Sequence, residues 1–129
     1  MPVTDVFFYR EKNGKVPVLD FLADLRRNDR RAYAKCVARV RRLAQVGYEL
    51  KRPDADYLRE GIYELRVRIG RLNYRILYFF HGRNVALLSN GLRKERTVPE
   101  TEIERALERK RCYERDPEAH TYEEETGDG

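Results

Sequence analysis

Residues 61–80 read Gly-Ile-Tyr-Glu-Leu-Arg-Val-Arg-Ile-Gly-Arg-Leu-Asn-Tyr-Arg-Ile-Leu-Tyr-Phe-Phe, and the fold is decided here. Tyr63, Leu65, Val67 and Ile69 alternate with Glu64, Arg66 and Arg68, the period of two expected of a strand with one packed and one polar face. A second run extends from Leu72 to Phe80. Between them Gly70-Arg71, with glycine first, suits a two-residue type II′ turn. That turn sets Ile69 against Leu72 and fixes the register by counting: Arg66 faces Arg75, Arg68 faces Asn73, and Glu64 faces Leu77, all on one side of the sheet. A third run, Asn84 to Ser89, follows the turn His81-Gly82-Arg83-Asn84, so the three strands form an antiparallel meander.

Working outward, Val3 to Tyr9 reads as a short strand, and Asn13-Gly14 as a turn. Pro17 opens a helix to about Arg27, with Val18, Leu22 and Leu25 on one stripe. Asn28-Asp29 caps a second helix. In it Tyr33, Cys36, Val37, Val40, Leu43 and Ala44 recur at spacings of three and four, opposite Arg31, Lys35, Arg39 and Arg42. Gly47 is placed to end it, and the two helices make an antiparallel hairpin. After the meander, Thr97, Pro99 and Glu100 mark the start of a last helix that carries Ile103, Ala106, Leu107 and Lys110 and runs to about Glu114. The expectation is one α+β domain over residues 1–115: an N-terminal strand, a helical hairpin, an antiparallel meander and a C-terminal helix. Residues 116–129 are expected to be a flexible acidic tail, disordered beyond about Tyr122.

The 129 residues make a chain of 15.4 kDa, the size of one domain that folds without disulfide or metal. No apolar run approaches the ~20 residues of a membrane span, and Arg10, Glu11 and Lys12 interrupt the only apolar stretch where a signal peptide would lie. Cys36 and Cys112 fall inside helices without metal-ligand spacing, which reads as packing thiols of a cytoplasmic protein. The formal charge of +5 hides a division. Residues 116–129 hold six carboxylates and no Lys or Arg, so the first 115 residues carry 27 basic against 16 acidic side chains. Of the 27, 21 are arginine, the residue that binds phosphate bidentately. An anionic partner follows (nucleic acid, a phosphorylated ligand or an acidic protein segment), the alternative being a solvated basic surface.

Two guanidiniums ~5 Å apart repel by roughly 1–3 kcal/mol, so the apposition of Arg66 and Arg75 points to an anion between them. The alternative is a solvated face on which Glu64 pairs with Arg66 and Arg75 lies along Leu77. Arg93 and Lys94 follow the third strand on a loop able to bring both to the same face; the alternative is a basic loop of no special role. Tyr74 and Tyr78 have the opposite parity and belong to the core, and His81 and His120 read as surface histidines. No Gly-rich phosphate loop, zinc-ligand set, nucleophile elbow or paired carboxylates for two metals is present in the sequence. Phosphodiester cleavage by such a chain would rest on cations and hydrogen bonds. RNA permits this, because its own 2′-hydroxyl can attack the phosphate.

Tyr63-Glu64-Leu65-Arg66, Asn73-Tyr74-Arg75-Ile76-Leu77-Tyr78, and Gly91-Leu92-Arg93-Lys94-Glu95 followed by Pro99 resemble, in this order, the RelE/HigB-like toxins of bacterial type II toxin–antitoxin modules, in their phage-derived branch. The resemblance covers nearly the whole chain. It implies a small toxin that enters the ribosomal A site, cuts messenger RNA during translation and so inhibits growth. It further implies a metal-independent endoribonuclease without cofactor, neutralised by a cognate antitoxin that is commonly a helix-turn-helix protein. On this resemblance Arg66, Arg75 and Lys94 are the catalytic candidates, Arg68, Asn73 and Arg93 bind RNA, and Glu64 orients Arg66. Many members carry His where this chain has Asn90. The other expectation is a basic binding module for RNA or an acidic protein, without catalysis.

Overall fold

The computed structural model describes residues 3–93 and 96–123. Strand β1 (Asp5–Tyr9) leads into helices α1 (Pro17–Asn28) and α2 (Arg30–Val46), which meet at Asp29. Strands β2 (Ala55–Arg59), β3 (Ile62–Ile69), β4 (Leu72–His81) and β5 (Val85–Arg93) follow, then α3 (Glu100–Arg115) and β6 (Thr121–Tyr122). The α+β reading holds. Pro17 occupies the first turn of α1, the Asp29 carboxylate accepts from the Ala32 backbone N–H at 3.1 Å to cap α2, and Gly47 closes α2.

The expected register is also present. Ile69 pairs with Leu72, Arg68 with Asn73, Arg66 with Arg75 and Glu64 with Leu77. Gly70 has φ +60°, as the first central position of a type II′ turn requires. The meander, however, is the centre of a larger sheet ordered β2-β3-β4-β5-β1-β6. Strand β2 pairs antiparallel with β3 along its outer edge, and β1 lies parallel to β5, Phe7 beside Leu87.

The chain also continues past the boundary drawn at residue 115. Residues 118–120 form a 3-10 turn and β6 pairs antiparallel with β1, Phe8 facing Tyr122. His120 is therefore buried, not a surface histidine. Its ring stacks on Tyr9 with centroids 5.0 Å apart, and its Nδ1 lies 2.8 Å from the Arg10 carbonyl oxygen. Glu124, Glu125 and Asp128 of the acidic tail lie outside the described residues.

The strand period sorts side chains into two cores. On one face Leu65, Val67, Tyr74, Ile76, Tyr78 and Leu88 pack under α1 and α2 against Val18, Leu25, Cys36 and Leu43. On the other Ile62, Leu77, Phe79 and Leu87 pack under α3 against Ile103, Ala106 and Tyr113. Tyr74 and Tyr78 are core residues, as expected. Burial pushes both phenols upward in pKa, and Tyr74 also donates to Asp29 at 3.1 Å. Gly91 has a packing reason: a Cβ there would fall 2.3 Å from Cγ of Phe21 on α1. No helix among the described residues is long and apolar enough to cross a membrane.

Candidate functional site

Strands β3 and β4 continue past the part of the sheet covered by α3, and there their α3-side residues are polar. Glu64 is the centre of this end. It is 3% exposed, and its two carboxylate oxygens are divided between two arginines: Oε2 accepts from Nη1 of Arg66 at 2.8 Å, and Oε1 lies 2.8 Å from Nε of Arg75. The expected apposition of Arg66 and Arg75 is real, but their repulsion does not by itself require a ligand, because Glu64 already supplies a negative charge. The Glu64–Arg66 pairing weighed as the alternative in the sequence is present, yet it does not leave Arg75 in solvent. Arg75 is 7% exposed and its Nη2 also donates to the Arg96 carbonyl at 3.0 Å.

The two arginines thus differ. Arg75 is a fixed, buried cation. Arg66 is partly exposed and has Glu64 as its only ion-pair partner among the described residues, so its Nε and Nη2 remain for a ligand. Two clefts meet at this pair. One, of about 350 Å³, is lined by Arg66 and Arg75 together with Arg52, Arg96 and the carboxylates Asp56 and Glu64. The other, of about 360 Å³, takes in Arg39, Arg68 and Asn73 with the same Arg52, Arg66 and Arg75. Arginines outnumber carboxylates in both. A low-dielectric floor below clustered arginines focuses positive potential, which suits a phosphate chain.

The remaining candidates separate. Arg68 and Asn73 face each other one rung from the arginine pair, where the register placed them, and Arg68 Nε donates to the Gly70 carbonyl at 3.0 Å. Arg93 does not join them. It pairs with Tyr74 in register, on the face under α1, and its Nη1 bonds Asp24 Oδ2 at 2.5 Å. It belongs to β5 and not to a loop, so strand parity turns it away from Arg75. Lys94 lies outside the described residues. Asn90 is buried on the α3 side and donates through Nδ2 to Glu102 Oε1 at 2.9 Å.

Sequence reasoning missed Arg52, Arg39 and Arg96. The first two reach the site through the segment before β2, Arg39 by a contact 15 residues away and Arg52 by one four residues away. Arg52 is held by Asp56 Oδ2, through Nε at 3.0 Å and Nη2 at 2.8 Å, and this bonding draws the Asp56 carboxyl below its ordinary pKa. Arg39, on α2, is bonded to Asp54. A carboxylate two or four residues from an arginine was visible in Arg52-Pro53-Asp54-Ala55-Asp56, but its place beside β3 was not, because β2 was not expected.

From residue 23 to residue 111 the sequence matches the family described as phage derived protein Gp49-like (DUF891). No curated protein matches the chain. The match spans the second half of α1, α2, all of β2 to β5, and most of α3, and so includes every residue of the arginine cluster. The chain belongs to the Gp49-like family of phage-derived proteins, a toxin-like family within the RelE/HigB-like superfamily.

Proposed function

We propose that this protein is the toxin of a type II toxin–antitoxin module, a metal-independent endoribonuclease that cuts messenger RNA on the translating ribosome. The observation that carries the reading is the pair Arg66–Arg75, one partly exposed and one buried, held by a single carboxylate where two basic clefts meet. In the reaction the 2′-oxygen attacks the adjacent phosphorus and the bond to the 5′-oxygen breaks, leaving a 2′,3′-cyclic phosphate. The 2′-hydroxyl proton is lost to a base and the leaving oxygen gains one. Arg66 donates to the phosphoryl oxygens as charge develops, and Arg75 holds a second positive charge beneath them. Glu64 positions both guanidiniums. Arg68 and Asn73 hold the neighbouring backbone, and Lys94 assists charge stabilisation or proton transfer. A cognate antitoxin neutralises the toxin, and the site of action is cytoplasmic.

Primer extension on a reporter messenger RNA in a bacterial translation extract tests the reading. New 5′ ends are expected only during translation, and Arg75→Ala should reduce them by at least 10²-fold, as the loss of one charge-stabilising group does. Equal cleavage by Arg75→Ala contradicts the mechanism.

One observation favours a second reading, a basic binding module without catalysis. Where many family members carry His, Asn90 is buried and bonded to Glu102, and among the described residues no histidine lines either cleft. Absence of new ends while the chain still binds ribosomes would favour this reading.

A further inference from the structure

The sheet face under α2 carries an aromatic row that the cleavage site does not use. Tyr57 of β2 meets the Tyr63 ring edge-on at 5.0 Å, Tyr63 meets Phe80 edge-on at 5.3 Å, and Phe80 stacks on Tyr48 at 5.2 Å. Beyond Tyr48, the Arg83 guanidinium lies 5.9 Å from its ring centre. The row crosses three strands and ends just past α2. Its two end rings, Tyr57 at 53% and Tyr48 at 54%, are among the most exposed large apolar side chains described. Tyr48 and Arg83 also line a cleft of about 430 Å³ with Gln45 and Val46. The Tyr57 hydroxyl accepts from the Gly61 backbone N–H at 3.0 Å, but Tyr48 is exposed beside an open cleft, and tyrosine and arginine around a pocket are the composition of an interface hot spot.

Charge selects the occupant. Helix α2 borders this row and carries six basic residues and no acidic one. Among the described residues Arg41, one helical turn before the cleft-lining Gln45, has no ion pair, nor have Lys51 and Arg83 near the row; Glu49 is the acidic residue of the cleft lining. A second copy of the chain would bring the same positive surface against it. The acidic tail has the right charge but no large apolar side chain after Tyr122 to fill the cleft. Nucleic-acid bases stack on open ring faces, whereas Tyr48 already stacks on Phe80, and Tyr63 stacks on Tyr78 and meets Tyr57 and Phe80 edge to face.

We propose that the row Tyr57–Tyr63–Phe80–Tyr48, with the cleft beside Tyr48, is a docking surface for an acidic amphipathic segment of a protein partner. The segment's apolar side chains lie on the tyrosines, one enters the cleft, and its carboxylates face Arg41, Lys51 and Arg83. The surface lies on the sheet face opposite the arginine pair and is independent of whether that pair cuts RNA.

The probe is a random library of 16-residue peptides displayed on phage and selected on the full folded chain. Selected peptides should be rich in Glu and Asp interspersed with Leu, Phe or Trp. Tyr48→Ser and Tyr57→Ser should each weaken them at least tenfold in fluorescence anisotropy, whereas Arg66→Ala leaves them within twofold. Arg83→Glu should weaken them as well, and it keeps the test decisive if a tyrosine variant melts early. Three results overturn the proposal: no peptide is enriched, the enriched peptides are indifferent to all three substitutions, or the substitutions instead abolish binding of a single-stranded oligouridylate.

Discussion

The two faces of the sheet are built from the same strands and do opposite things. Under α1 and α2 hydrocarbon runs nearly to the hairpin end, from Tyr78 through Ile76, Leu65 and Val67 to Tyr74. Under α3 the hydrocarbon stops at Leu77 and Ile62, and the next rungs are Glu64, Arg66 and Arg75, then Arg68 and Asn73. Neighbouring residues such as Glu64 and Leu65 thus belong to different problems. One stabilises by leaving water, the other by satisfying two cations that cannot leave it. A strand period of two lets one hairpin hold a closed core and a charged site without either crossing into the other.

Substituting these two neighbours is the sharpest way to break that contrast. Glu64→Gln leaves a buried Arg75 beside Arg66 without the shared carboxylate and should cost roughly 3–5 kcal/mol in denaturant unfolding. Adding Arg75→Met should return most of that loss, since the uncompensated charge is then gone. If the double variant is no more stable than Glu64→Gln, the cost is not electrostatic. On the other face Leu65→Ala should cost about 3 kcal/mol through a cavity, and no second substitution at Arg75 should repair it.

A pH dependence also distinguishes the faces. Cys36, buried under the helical face, has its thiol pushed up to about 12, chiefly by desolvation. A raised folded-state pKa gives stability that is complete below the unfolded value of about 8.5 and is lost as pH rises from there towards 12. The loss approaches about 1.4 kcal/mol per pH unit within that window, and Cys36→Ala should remove it. In native protein a thiol reagent should modify the half-exposed Cys112 and leave Cys36 until unfolding.

The same contrast explains what was legible in the sequence. The β3–β4 hairpin was readable because turn, alternation and register are local: Gly70-Arg71 fixes the pairing, and Arg66 opposite Arg75 follows by counting. What required distant contacts was not. Strand β2 follows Arg52-Pro53-Asp54, a turn-like stretch, and becomes a strand only through pairing with β3. The parallel pairing of β1 with β5 and the addition of β6 join ends of the chain with no shared local pattern, which is why His120 was read as exposed. In the site, Glu64 was read as the partner of Arg66 alone, because its second contact depends on Arg75 being buried. Arg93 was misplaced because β5 runs further than Ser89, and parity, not loop reach, sets its direction.

The most direct test of the account compares arginines from the two faces. Reporter messenger RNA cleavage in a translation extract should be followed for the unmodified chain, Arg66→Ala and Arg93→Ala, with thermal melts of all three. The account predicts stability within about 1 kcal/mol for Arg66→Ala with cleavage down at least 10²-fold, and cleavage within a few fold for Arg93→Ala. Equal loss from both faces, or full cleavage by Arg66→Ala, would contradict the claim that the α3-side end of the hairpin is where the phosphate is handled.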